Sequence, residues 1–134
     1  MRRANAPAPH VSFSWTTIPV TWDGDICVER GAALRLARPG TARAEQVTVV
    51  DAVSKTQGHA SWAAGQDATP WPAAVPPRAD GTYLLMIPDR ARREVKLRML
   101  DRLPTDADIL TVLRARNCKA QFQAWVRERM TAKR

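Results

Sequence analysis

The side chains that could do chemistry are few: Cys27 and Cys118 are the two thiols and His10 and His59 the two histidines. Neither cysteine sits in a C-x-x-C pair, so zinc-ribbon and thioredoxin-like chemistry has no support. Two outcomes stay open for them. In an oxidising compartment they could pair, closing a loop worth about 4–5 kcal/mol in the chain-entropy model. Otherwise they are two small buried side chains that never meet, since a free cysteine behaves as a hydrophobe. A four-ligand zinc site from the cysteines and histidines matches no ligand spacing. His59 lies near Ser54, Ser61 and Asp51, the residue types of a nucleophilic triad. No Gly-x-Ser-x-Gly elbow accompanies them, and no phosphate-binding loop or dinucleotide fingerprint occurs. The expectation is a protein that is not an enzyme, with no cofactor and no metal.

Binding chemistry is better represented. The net charge of +8 is uneven: residues 1–89 balance, whereas residues 90–134 hold thirteen basic against five acidic side chains. Such asymmetry suits an acidic partner, although solvated arginine-rich helices give the same count. Arg92, Arg93, Lys96 and Arg98 fall on or before the last strand, and Arg116 and Lys119 on the helices. These are the binding candidates for a protein partner or for nucleic acid. Among five tryptophans, Trp71 between Pro70 and Pro72 is the best candidate for an exposed anchor, though a rigid loop more often packs such a ring down. Trp15, Trp22 and Trp125 sit in periodic patterns and read as core; a core Trp125 predicts a loss of about 3–5 kcal/mol for Trp125→Ala.

These residues need elements to carry them. Val11, Phe13 and Trp15 alternate with serines as in a half-buried strand, and Ile18, Val20 and Trp22 continue past Pro19 as an edge or bulge. Ile26–Val28, Leu34–Leu36, Gln46–Val53, Ala60–Trp62, Thr82–Ile87 and Val95–Met99 read as further short strands between turn signals. Residues 63–80 carry four prolines and read as a loop. The period then changes. Thr105 is a good N-cap. Ile109, Leu110, Val112 and Leu113 form one apolar face, and Cys118, Phe122, Trp125 and Val126 a second on the opposite side. The simplest resolution is a break at Arg116–Asn117, with Asn117 capping a second helix; the rival is one long helix sandwiched between the domain and a partner subunit.

The expected fold is therefore α+β: an antiparallel β-sandwich or partly open barrel of about six to eight short strands, then two C-terminal α-helices. Residues 1–10 read as a flexible arm. Residues 11–134 read as one domain, with a β-rich part (11–103) and a helical hairpin (104–132). Nothing approaches the eighteen apolar residues of a membrane span. The first ten residues have the charge of a signal peptide's start without its apolar run, which leaves a cytoplasmic protein or the trimmed form of an exported one.

Taken together, Cys27-Val28, Leu34-x-Leu36-x-x-Pro39-Gly40, Trp62-x-x-Gly65, Trp71-Pro72, Asp80-Gly81-Thr82-Tyr83 and Asn117-Cys118-x-x-Gln121 form an order. It resembles that of small uncharacterised bacterial envelope proteins and the periplasmic modules of FecR-type or anti-sigma regulators. Those modules are similar to immunoglobulin or fibronectin type III sandwiches. The likeness implies a periplasmic or secreted, non-enzymatic module that binds a protein or envelope component, with Cys27 and Cys118 paired. It supplies no catalytic or ligand residues. Two C-terminal helices depart from a standard sandwich. Nucleic-acid binding through the basic C-terminal third and an accessory chaperone or immunity-type role are the alternatives.

Overall fold

A computed structural model describes residues 13–132; the expected arm at 1–10, with His10 and Val11, lies outside them. Eight strands precede two helices: β1 Thr17–Pro19, β2 Gly24–Glu29, β3 Arg35–Ala37, β4 Glu45–Asp51, β5 Gln57–Trp62, β6 Ala68–Pro70, β7 Thr82–Met86, β8 Arg93–Leu100, α1 Ile109–Ala115 and α2 Lys119–Ala132. The fold is α+β, with a five-stranded sheet ordered β2-β8-β7-β4-β5 and a three-stranded sheet ordered β1-β3-β6.

The period-two pattern is clearest in β4, β5 and β7. In β5, Gly58, Ala60 and Trp62 are buried while Gln57, His59 and Ser61 are exposed. In β4, Val47, Val49 and Asp51 point inward. The inward residues of both sheets build one shared core, including Ile18, Leu36, Val49, Trp62, Leu85 and Leu97. Trp62 stitches the layers together: its ring is fully buried, and its Nε1–H donates to the Leu36 carbonyl of the other sheet at 3.1 Å.

Two expectations about the sheets need correction. The sheets are mixed, because β2 runs parallel to β8 and β1 parallel to β3. Neither sheet closes into a barrel. Parallel neighbours require a long crossover, and here β2 and β8 are joined through all the intervening strands, a relation invisible to local patterning. β6 also lies within the stretch read as a loop. Its Pro70 is tolerated because β6 is an edge strand paired with β3 alone.

Phe13 and Trp15 form no strand. They pack edge-to-face at 4.8 Å and cover the helices instead. Trp15, Trp22 and Trp125 are only half-buried, whereas Trp62 and Trp71 are the buried indoles. Alternation fixes which face a ring is on; how deep that face lies depends on the layer placed over it.

Asp51 ends β4 and fixes the turn into β5. Its Oδ1 accepts the N–H groups of Val53 and Ser54, and its Oδ2 accepts Nη2–H of Arg78 at 2.7 Å. The Arg78 hydrogen bond is the main reason its carboxyl titrates below the usual range, against the opposing effect of burial. The next turn is held by Tyr83, whose hydroxyl accepts the Arg78 N–H at 2.8 Å and donates to the Pro76 carbonyl at 3.2 Å. Burial pushes that phenol's titration upward. Gly81 leaves room for the ring, since a Cβ there would stand 2.7 Å from the Tyr83 hydroxyl.

Candidate interaction surface

The helical hairpin owes its position to three devices. The first is its turn. Asn117 adopts φ 64°, with its N–H bonded to Arg114 O and the Cys118 N–H to Leu113 O. This is a Schellman closure of α1. The break falls at Arg116–Asn117 as expected, but Asn117 ends the first helix rather than capping the second. Asparagine tolerates the left-handed conformation better than other non-glycine residues. Thr105 likewise stands one turn before the helix proper, whose N-cap is Asp108.

The second device is a disulfide between Cys27 of β2 and Cys118 at the start of α2, with Cα atoms 6.0 Å apart. Cys27 faces away from Ile26 and Val28, so β2 is buried on both sides: against the other sheet on one and against the hairpin on the other. The third is Gln121, three residues after Cys118 and thus on the same helical face. Its Oε1 accepts the Cys27 N–H at 2.5 Å, and its Nε2 donates to the carbonyls of Cys27 (2.6 Å) and Ser14 (3.0 Å). The side-chain amide takes the place of a neighbouring strand on the β2 edge. A buried polar group so satisfied rigidifies its surroundings. Sequence reasoning assigns Gln121 no role; the Cys118-x-x-Gln121 spacing is the available signal.

With its inner face thus fixed, the hairpin turns a basic corner outward. Leu113, Arg114, Asn117, Lys119, Phe122 and Gln123 line a cleft of about 280 Å³. The Arg114 guanidinium lies 5.7 Å from the centre of the Phe122 ring, a cation–π contact that leaves its N–H groups available. Arg114, Arg116 and Lys119 are exposed and make no ion pair among the described residues. Cationic donors around an aromatic floor, with two side-chain amides, can accept a carboxylate and an adjoining apolar group together.

The basic residues of β8 behave differently. Arg93 pairs with Asp23 at 2.9 Å, and Arg98 bridges Asp25 at 2.7 Å and Asp80 at 2.8 Å. Hydrogen bonds first to Asp25 and then to Asp80 raise the Arg98 titration further. Arg92 is exposed and Lys96 half-buried, each without an ion pair among the described residues. Two of the four basic candidates on or before the last strand are therefore neutralised by carboxylates, and Arg129 of α2 pairs with Asp106, whereas Arg114, Arg116 and Lys119 keep their charge.

Trp71 is not an exposed anchor. It is 8% exposed, its Nε1–H donates to Val75 O at 2.5 Å, and its ring meets Tyr83 edge-on at 5.1 Å. The proline-stiffened loop folds back on Gly58, where an added Cβ would lie 3.0 Å from Pro72 Cβ. His59 stands exposed on β5 with Nδ1 3.1 Å from Thr48 Oγ1. Asp51 is turned to Arg78 and the β4–β5 turn instead. Among the described residues no three His, Cys, Asp or Glu side chains are grouped to hold a metal ion, and no helix is long and apolar enough to cross a membrane.

No family model, no curated protein and no solved structure matches this chain.

Proposed function

We propose that the protein is a non-catalytic interaction module of an oxidising, extracytoplasmic compartment, which receives an acidic partner protein at the basic corner of its helical hairpin. The observation that carries this reading is the Cys27–Cys118 disulfide. Disulfides of this structural kind persist in the periplasm and outside the cell, and are rare in the reducing cytoplasm. Here the bond also holds Arg114, Arg116 and Lys119 on a fixed frame, so that a partner meets a preorganised surface.

The likeness to immunoglobulin-type sandwiches belongs to the same proposal. It is supported by the Tyr83 hydroxyl bonding back to residues 76 and 78, the arrangement of a tyrosine corner. It is also supported by the strand order, in which the β7–β8 hairpin lies beside the β4–β5 hairpin while β3 pairs with β6. The parallel pairs and the hairpin are this chain's departures from that plan. Nucleic-acid binding draws on the same cations, but Arg93 and Arg98 are engaged by carboxylates, which favours the protein reading.

The test is site-specific photo-crosslinking in the cells of origin, with the crosslinker at position 116 or 119 and a control at the exposed Lys55. The expected result is an adduct with a net-acidic protein from 116 and 119 that disappears in Arg114→Glu. Equal adducts from all three positions, or none from the hairpin, would sink the proposal.

A further inference from the structure

The two edges of the five-stranded sheet are treated in opposite ways. At β2 the edge is closed. Gln121 takes both backbone groups of Cys27, and the Trp15 carbonyl accepts the Glu29 N–H at 3.0 Å. At β5 no strand is paired beyond the edge among the described residues, and the register identifies the groups it offers. The Asp51 N–H bonds to Thr56 O, continuing the β4–β5 ladder, and the Ala52 N–H bonds to Thr82 O, continuing β4–β7. In an antiparallel ladder each residue directs both backbone groups to one side. Odd-numbered residues of β4 therefore serve β5 and even-numbered ones serve β7. Gly58, Ala60 and Trp62 bond inward, and Gln57, His59 and Ser61 direct their N–H and C=O groups outward. Among the described residues no backbone group of those three outward residues has a partner beyond the sheet.

Natural sheets blunt such an edge with proline, lysine, a bulge or a covering segment. Residues 57–62 contain no proline and no Lys, Arg, Asp or Glu, and their register with β4 is unbroken. The side chains of Gln57, His59 and Ser61 are exposed, so nothing bulky of the strand's own lies over its outer face.

We infer that β5 pairs with β5 of a second copy of this chain, antiparallel about a two-fold axis through His59, making one continuous ten-stranded sheet. Three residues spaced by two are self-complementary in this arrangement. His59 stands opposite His59, and Gln57 opposite Ser61, each pair exchanging two backbone hydrogen bonds. A two-fold contact of this kind uses the same patch on both copies and closes on itself.

The two-fold symmetry of the edge selects a second copy as the occupant, and the distribution of charge permits it there. Each chain carries +8, and two such chains repel. The excess lies in residues 90–134, whose helices pack at the β2 end of the sheet. β5 is four strand spacings away, roughly 19 Å. Pairing through β5 joins the copies at an uncharged edge and keeps both basic corners at the far ends of the sheet. Such a dimer would present two copies of the corner, but the inference stands on the edge alone and not on what the corner binds.

Sedimentation equilibrium at physiological salt, from about 10 μM to about 1 mM, tests it; edge pairing buries little area and associates weakly. The expected average mass rises with concentration from the 14.9 kDa of the monomer towards twice that value. Ser61→Pro removes an outward N–H without touching a β4 bond. His59→Lys sets two cations directly opposite, and should raise the dissociation constant about two- to five-fold while leaving the thermal midpoint of the dilute protein unchanged. Because lysine is common on sheet edges, His59→Lys keeps the test decisive if the proline variant fails to fold. In addition, H59C should form a covalent dimer on mild oxidation much faster than the control K55C. A wild type that stays monomeric to 1 mM, a dimer indifferent to His59→Lys, or equal crosslinking of H59C and K55C would overturn the inference.

Discussion

Replacing Cys27 and Cys118 together by alanine is expected to lower the free energy of unfolding by about 4–5 kcal/mol in the chain-entropy account of a disulfide. The bond closes a loop spanning 91 residues, so its loss frees much of the unfolded chain. In the folded state the hairpin would still be held by Gln121 and by the packing of Leu100, Ile109 and Leu113. Urea unfolding of the wild type and the double variant measures the difference. A larger m value in the variant should accompany it, because the uncrosslinked chain exposes more surface when unfolded. A change below about 1 kcal/mol would mean that the unfolded ensemble stays compact without the bond.

The second large effect belongs to Trp62. Trp62→Ala is expected to cost about 3–5 kcal/mol, the range for removing a large aromatic from a packed core. Three observations place it there. The ring is fully buried, its N–H bridges the two sheets through Leu36 O, and the Arg38 guanidinium lies 5.4 Å from its centre. Arg38 is itself buried and pairs with Glu45 at 2.9 Å while donating to the carbonyls of Arg43, Ala63 and Gln66. The cavity left by alanine would therefore disturb a charged network as well as a hydrophobic one. By contrast Trp125 is half-buried, with the Phe13 ring edge-on to it at 5.3 Å and the Arg129 guanidinium 4.0 Å from its centre, so Trp125→Ala should cost clearly less than Trp62→Ala. Parallel thermal and urea melts of the two variants give the comparison; a Trp125→Ala loss equal to or above that of Trp62→Ala would contradict this ranking.

The contrast between those tryptophans marks the limit of what residue periodicity can reveal. Alternation locates β8, and short apolar or β-branched runs between turn signals locate β2, β4 and β7. The clash of apolar faces across Arg116–Asn117 locates the helix break, because a straight helix cannot serve two opposed surfaces. Depth is not legible in this way. Trp62 reads as one more alternating residue, and only the second sheet above it makes it the centre of the core. Trp71 has the look of an anchor because its flanking prolines predict a stiff loop, but stiffness does not say which way the loop folds. Gly58, which permits the close approach, reads merely as a separator between strands.

The candidate surface is legible only in composition. The excess of arginine in the last third marks the region, yet the ion pairs that remove Arg93 and Arg98 from it come from Asp23, Asp25 and Asp80, none of them a near neighbour in sequence. Gln121 is hidden for a similar reason. A glutamine in a helix is ordinarily a solvated residue, and its burial follows from the sheet edge that the disulfide brings beside it.

The most direct test is the state of the two thiols in the cells of origin. Cells are quenched in acid, the protein is unfolded in denaturant, and free thiols are alkylated before and after reduction, with the mass of each cysteine peptide read out. The expected result is no label on Cys27 or Cys118 before reduction and full label on both after it. Both residues labelled before reduction would place the protein in a reducing compartment and remove the ground for an extracytoplasmic module.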